Sequence, residues 1–202
     1  MNHFYRFSPL VLLLSACADV EEHDHHDHEH EVMTTVVLDF TSQTDGSELS
    51  FSWADPEDDG SPVIDDIILL DADDYTLSLS FINELEDPAE DLTEEIEDEG
   101  DEHQIFFTGS AVEGPATGTN PDAIITQAYA DEDDGGLPVG LENTITTVAA
   151  GSGELTVTLR HMPLENGETI KTDTLAADVA DGGFEAIGGD NDVQITFNIE
   201  VE

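Results

Sequence analysis

The feature that most constrains this chain is a two-residue hydrophobic period that recurs along almost its whole length. The last segment shows it most clearly. Val193, Ile195, Phe197, Ile199 and Val201 alternate with Gln194, Thr196, Asn198 and Glu200. Successive side chains of a strand point to opposite faces, so this pattern describes a strand with one dry face and one wet face. Tyr75, Leu77, Leu79 and Phe81 repeat it, as do Leu155, Val157 and Leu159. So do Leu49, Phe51 and Trp53, and also Val36, Leu38 and Phe40. Weaker runs lie at 63–70, 104–108, 123–129 and 141–148. Eight or nine such strands joined by Gly- and Asp-rich turns predict a mainly β domain. An antiparallel, immunoglobulin-like β-sandwich over residues 32–202 accounts for the single wet face of each strand. A small β-barrel is the alternative closure of the same strands.

One segment departs from the period. Asp87, Pro88, Ala89 and Glu90 carry the marks of a helix start: a capping acid, a proline in the first turn and an acid three residues after the cap. Leu92 and Ile96 share a face, and Gly100 can end the turn. A single short acidic helix over 88–99 is expected.

The first residues speak to compartment. Arg6 precedes an apolar run at 10–14 that is too short to cross a bilayer and reads as the core of a signal peptide over residues 1–16. It leads into Leu14, Ser15, Ala16 and Cys17, which match the lipobox of bacterial lipoproteins. In that family, cleavage before the cysteine leaves it N-terminal and lipidated. Cys17 is the only cysteine in the chain, so no intramolecular disulfide can form. Acyl chains contribute about 0.8 kcal/mol per buried methylene, and several together anchor a protein stably. The expected address is the cell envelope, attached to the outer membrane by lipid.

Charge narrows the partners. There are 49 Asp and Glu against 3 Lys and Arg, a formal net charge of −46. Once the leader is removed, only Arg160 and Lys171 remain as cations. Phosphate recognition needs clustered Lys and Arg, so nucleic acid is excluded as a partner.

Residues 17–31 then form a tether behind the lipidated cysteine. Positions 21–31 hold five histidines (His23, His25, His26, His28 and His30) and six acids, with no apolar residue. Such a segment cannot bury surface to offset its ordering entropy, so flexibility is expected. As a coil, residues 18–31 reach about 20 Å. Imidazole suits Zn²⁺ and similar divalent metals, and carboxylates can complete the coordination sphere. Spacings such as His23/His26 and His26/His30 let a mobile chain wrap one ion in several registers. The plain alternative is a solvated spacer.

Several stretches across residues 34–197 together resemble a family of small, uncharacterised bacterial outer-envelope lipoproteins. They are the Thr34–Thr35–Val36–Val37–Leu38 strand; Trp53, Ala54 and Asp55 before Asp58, Asp59 and Gly60; the Asp87 to Asp91 run; and Asp101 to Phe107. Further on come Leu155 to His161, then Gly188, Gly189, Asp192, and Ile195 to Phe197. Members are sometimes labelled after the type 1 periplasmic binding fold, a longer α/β chain with repeated βαβ units that this sequence does not show. The resemblance implies a lipid anchor, an acidic linker and a β domain, and the family carries no established activity.

Within the β domain, two more candidate sites stand out. His161 shares the parity of Leu155, Val157 and Leu159, so it should point inward or to the rim. A hydrogen-bonded core histidine is one reading; if the fold brings His161 to His103, an acid nearby would complete a metal site. Arg160 has the opposite parity and reads as a surface ion-pair partner. Asp55, Glu57 and Asp59 before Gly60, and Asp131 and Asp133 before Gly135, offer oxygen ligands for Ca²⁺, although turns favour the same residues. No serine elbow, zinc-protease helix, phosphate loop or cysteine nucleophile occurs, so an enzyme is not expected. Two functions follow from these readings. One is metal capture by the tether for hand-over to an envelope transporter; the other is an interaction module with Ca²⁺ in its loops.

Overall fold

The computed structural model describes residues 32–202; Cys17 and the His tract at 21–31 lie outside the described residues. The fold is mainly β, with two sheets. Its strands are β1 (Thr35–Ser42), β2 (Glu48–Ala54), β3 (Val63–Ile64), β4 (Ile67–Leu69), β5 (Asp74–Asn83), β6 (Glu90–Asp91), β7 (His103–Thr108), β8 (Val112–Glu113), β9 (Ile125–Tyr129), β10 (Glu142–Thr147), β11 (Gly151–His161) and β12 (Asp190–Val201). Eight of these have five residues or more and correspond to the expected strands. The larger sheet runs β3-β2-β1-β5-β10-β9-β8 with β6 also on β5, and the smaller runs β4-β12-β11-β7. Pairing is antiparallel except for β4 on β12 and β8 on β9. The weak run at 63–70 is therefore split. Its first half joins the larger sheet and its second half the smaller.

The dry faces of both sheets meet in one core. Leu38, Phe40, Leu79 and Phe81 from one side share it with Leu155, Val157, Phe197 and Ile199 from the other. Every apolar position of the β12 alternation is buried. At Gly109, with φ +111°, an added Cβ would lie 2.3 Å from the Glu154 carbonyl, so only glycine lets β7 turn this close to β11.

The expected helix is shorter and starts later. Glu90 and Asp91 extend the sheet by pairing with β5, and α1 covers only Thr93–Asp98 with Leu92 at its N-cap. The reason lies in the sheet edge. Leu92 N–H donates to the Phe81 carbonyl, and Phe81 N–H donates to Thr93 Oγ1, so these groups serve the ladder before the helix begins. Leu92 and Ile96 are buried as their spacing implies.

A second helix, α2 (Leu175–Gly182), and a 3₁₀ turn at Phe184–Ala186 were not expected. They lie over the outer face of the smaller sheet. There, Leu175 and Val179 pack on Phe106 and Met162 in a second, smaller core. Alternation therefore fails locally, because β7 from His103 to Phe107 is buried on both faces.

Arg160 is corrected by the same cap: it is buried rather than on the surface. Its guanidinium donates to the Gly188 carbonyl (2.9 Å) and to Asn191 Oδ1 (2.8 Å), and sits 5.8 Å over the Phe184 ring. Burial holds its pKa below the ordinary value, and Asp190 and Asp192 pull it back up. It clasps the 184–191 segment to β11.

Lys171 is also interior. Its ammonium donates to the carbonyls of Gly100 (2.5 Å), His103 (3.0 Å) and Pro138 (3.0 Å) and to Asp133 Oδ2 (2.8 Å).

Candidate metal centre

β7 and β11 pair antiparallel, and their last register pair sets His103 directly opposite His161. Both continue the core-facing parity of Ile105 and Leu159, and the two rings stack with centroids 4.7 Å apart and planes 14° from parallel. The third member comes from an irregularity. Leu159 opposes Val193, but Arg160 opposes Asn191, so Asp192 is an extra residue in β12 with no opposite number. A bulge of this kind re-aims a side chain. Here it carries the Asp192 carboxylate to 4.0 Å from His103 Nε2, with both side chains about 2% exposed. One ligand atom from each of His103, His161 and Asp192 lies within 4.8 Å of the other two.

Hydrogen bonding and burial set the state of these groups. His103 Nδ1 is 3.1 Å from the Glu99 carbonyl, which can only accept, so the ring proton sits on Nδ1 and Nε2 presents its lone pair towards Asp192. Burial lowers the His103 pKa to about 4; the bond to Glu99 opposes this, and His161 and Lys171 add to the lowering. At neutral pH the ring is therefore uncharged, the form that binds metal. His161 lies closer to solvent, and its Nε2 is 3.8 Å from Glu102 Oε2. Glu102 is held in place because Leu164 N–H donates to that same oxygen (2.9 Å) and Met162 N–H to its backbone carbonyl (2.6 Å). Gly189 completes the packing. With φ +81°, it passes so near the His161 carbonyl that an added Cβ would lie 2.1 Å from that oxygen.

The structure thus brings together His103 and His161 from the expected residues and supplies Asp192 as the acid. Asp192 was not a candidate site residue, since the β12 alternation assigns it to the wet face beside Gln194. Only the bulge reverses this.

The acidic loops are arranged differently. Asp55 accepts from Asp59 N–H (3.2 Å) and Gly60 N–H (2.8 Å), closing its own turn, while Asp59 accepts from Ser61 N–H (3.0 Å) and Glu57 is exposed. Asp131 accepts from the N–H groups of Gly140 (2.8 Å), Leu141 (2.7 Å) and Glu142 (3.1 Å). Asp133 takes Gly135 and Leu137 N–H on one oxygen and Lys171 on the other. Where Ca²⁺ was expected beside Asp133, an ammonium occupies the carboxylate. Among the described residues, neither loop gathers three metal-ligand side chains as the histidine pair and Asp192 do.

Comparison with known proteins finds no matching family model, no matching curated protein and no matching solved structure.

Proposed function

We propose that this chain is a lipid-anchored cell-envelope protein that captures a divalent metal such as Zn²⁺ through the His/acid tether at 21–31 and presents it to a partner such as an envelope transporter. The single observation that carries this reading is the alternation of five histidines with six acids directly behind the lipobox cysteine. The β domain supports it electrostatically. Arg160 and Lys171 are both buried and bonded inward, so among the described residues no Lys or Arg side chain faces solvent. A surface of one sign attracts counter-ions and raises their local concentration. In this reading the domain gathers cations around the tether that binds them.

The test is a calorimetric Zn²⁺ titration of the mature chain carrying Cys17→Ser, beside a version lacking residues 21–31. Loss of one or more equivalents on deletion is expected. Identical isotherms would refute the tether's role. A second reading, a docking module with the tether as spacer, draws on the exposed Val63, Ile64, Ile68 and Leu70, which cluster where the chain passes between the sheets. It predicts a partner interaction weakened by Ile68→Asp and indifferent to metal.

A further inference from the structure

We infer that the β domain itself holds one divalent transition-metal ion, Zn²⁺ by preference, between His103 Nε2, a ring nitrogen of His161 and the carboxylate of Asp192. This site is separate from the tether and does not depend on it. The case begins with the placement of two lone pairs. The Glu99 carbonyl keeps the His103 proton on Nδ1, so Nε2 is an acceptor, and it faces Asp192 Oδ2, also an acceptor, across 4.0 Å of buried space. A divalent cation between a neutral imidazole nitrogen and a carboxylate oxygen can bond to the lone pairs of both. The spacing has room for one. Zn²⁺ bonds imidazole nitrogen and carboxylate oxygen at about 2.0–2.2 Å. A linear N–Zn–O arrangement would therefore span about 4 Å, and a tetrahedral one about 3.3 Å. With ligand atoms within 4.8 Å of one another, closing to a tetrahedral spacing of about 3.3 Å takes a shift of at most about 1.5 Å in the His161 ring.

The donor set selects the class of ion. Two imidazoles and one carboxylate suit Zn²⁺ and its neighbours, whereas Ca²⁺ and Mg²⁺ prefer all-oxygen shells. The outer contacts have the form seen around metal-bound histidines. His103 is fixed by a backbone carbonyl, and His161 lies against the Glu102 carboxylate, which the turn at 162–164 holds in place. The ion would enter from the His161 side, where that side chain is 15% exposed while His103 and Asp192 are 2% exposed. Three protein ligands leave a fourth position for water.

The experiment uses the mature chain with Cys17→Ser and residues 21–31 deleted, so that the tether cannot contribute. Zn²⁺ is titrated by calorimetry, and Co²⁺ is added as a spectroscopic probe of nitrogen ligation. One equivalent of Zn²⁺ should bind, and Co²⁺ should give the visible absorption of a low-coordinate N/O site. Asp192→Asn, which keeps the side-chain shape, should weaken binding about 100-fold, and Glu102→Gln about 10-fold. His161→Gln, at the more exposed position, should abolish the cobalt band while leaving the circular dichroism of the folded domain unchanged. The inference is overturned if the tether-deleted chain binds no Zn²⁺ tighter than about 100 μM, a threshold of roughly −5.5 kcal/mol. It is equally overturned if binding persists unaltered in both Asp192→Asn and His161→Gln. Failure of the tether reading would show instead as unchanged stoichiometry when residues 21–31 are removed.

Discussion

Removing the ammonium of Lys171 tests the account of how this acidic domain holds together. In Lys171→Met, the apolar stem is kept and four contacts to oxygen are lost: three carbonyls, from Gly100, His103 and Pro138, and Asp133 Oδ2. Side chains at both ends of the Lys171–Asp133 pair are almost fully buried, at 0% and 3% exposure. Breaking a buried pair by deleting one partner costs about 3–5 kcal/mol, because the remaining charge is left without compensation. Asp133 keeps the Gly135 and Leu137 N–H groups on its other oxygen, which places the cost near the lower end, about 3 kcal/mol. For a domain of this size, each kcal/mol moves Tm by about 2–4 °C, so a fall of about 6–12 °C is expected. Thermal and urea unfolding of the wild type, Lys171→Met, Asp133→Asn and the double variant close a thermodynamic cycle. The double variant should lose clearly less than the sum of the singles, since the first change removes what the second would have broken. A Tm within about 2 °C of wild type for Lys171→Met, or additivity to within about 0.5 kcal/mol, would refute the buried clasp.

Two further predictions concern the histidine cluster in chelator-treated protein. The His103 pKa is about 4 in the folded chain against 6.5 ordinarily, so the unfolded chain binds the extra proton first. Its contribution is complete above pH 6.5 and is lost as pH falls towards 4, at about 1.4 kcal/mol per unit and about 3 kcal/mol in all. Urea unfolding at pH 7, 5.5 and 4.5 should show this slope, and His103→Gln should flatten it; equal slopes in both proteins would contradict the assignment. Gly189→Ala should destabilise by about 1–3 kcal/mol through overpacking against the His161 carbonyl, measured by urea midpoint, and should weaken Zn²⁺ binding as that strand end shifts. An unchanged midpoint would show that the close approach is not required.

Much of the fold was legible because a strand's alternation reports its own two faces. The dry faces of β5 and β12 follow their residues one by one. The helix start was misplaced because its capping pattern is local, whereas the competing bonds of Leu92 and Thr93 come from Phe81, well back along the chain. The cap formed by α2 left a signal that could have been read. Phe106 has the wrong parity beside Ile105 and Phe107, and Leu175 and Val179 lie one helical turn apart.

What the sequence determined by itself is the mainly β character and the inward positions of most strands. Each depends on neighbours within a few residues, where periodicity and spacing are physical constraints. Tertiary structure decided which polar residues became interior. Arg160 reads as a surface charge until the segment around Phe184 to Asn191 folds over the smaller sheet and surrounds it with carbonyls and the Asn191 amide. Lys171 becomes interior by reaching the carbonyls of Gly100, His103 and Pro138 and the Asp133 carboxylate. The inward turn of Asp192 depends on one unmatched residue in the β11–β12 register. A register shift changes which face a side chain occupies without changing the pattern of residues that precedes it. The meeting of His103, His161 and Asp192 is therefore a property of strand pairing across the chain, which no local spacing encodes.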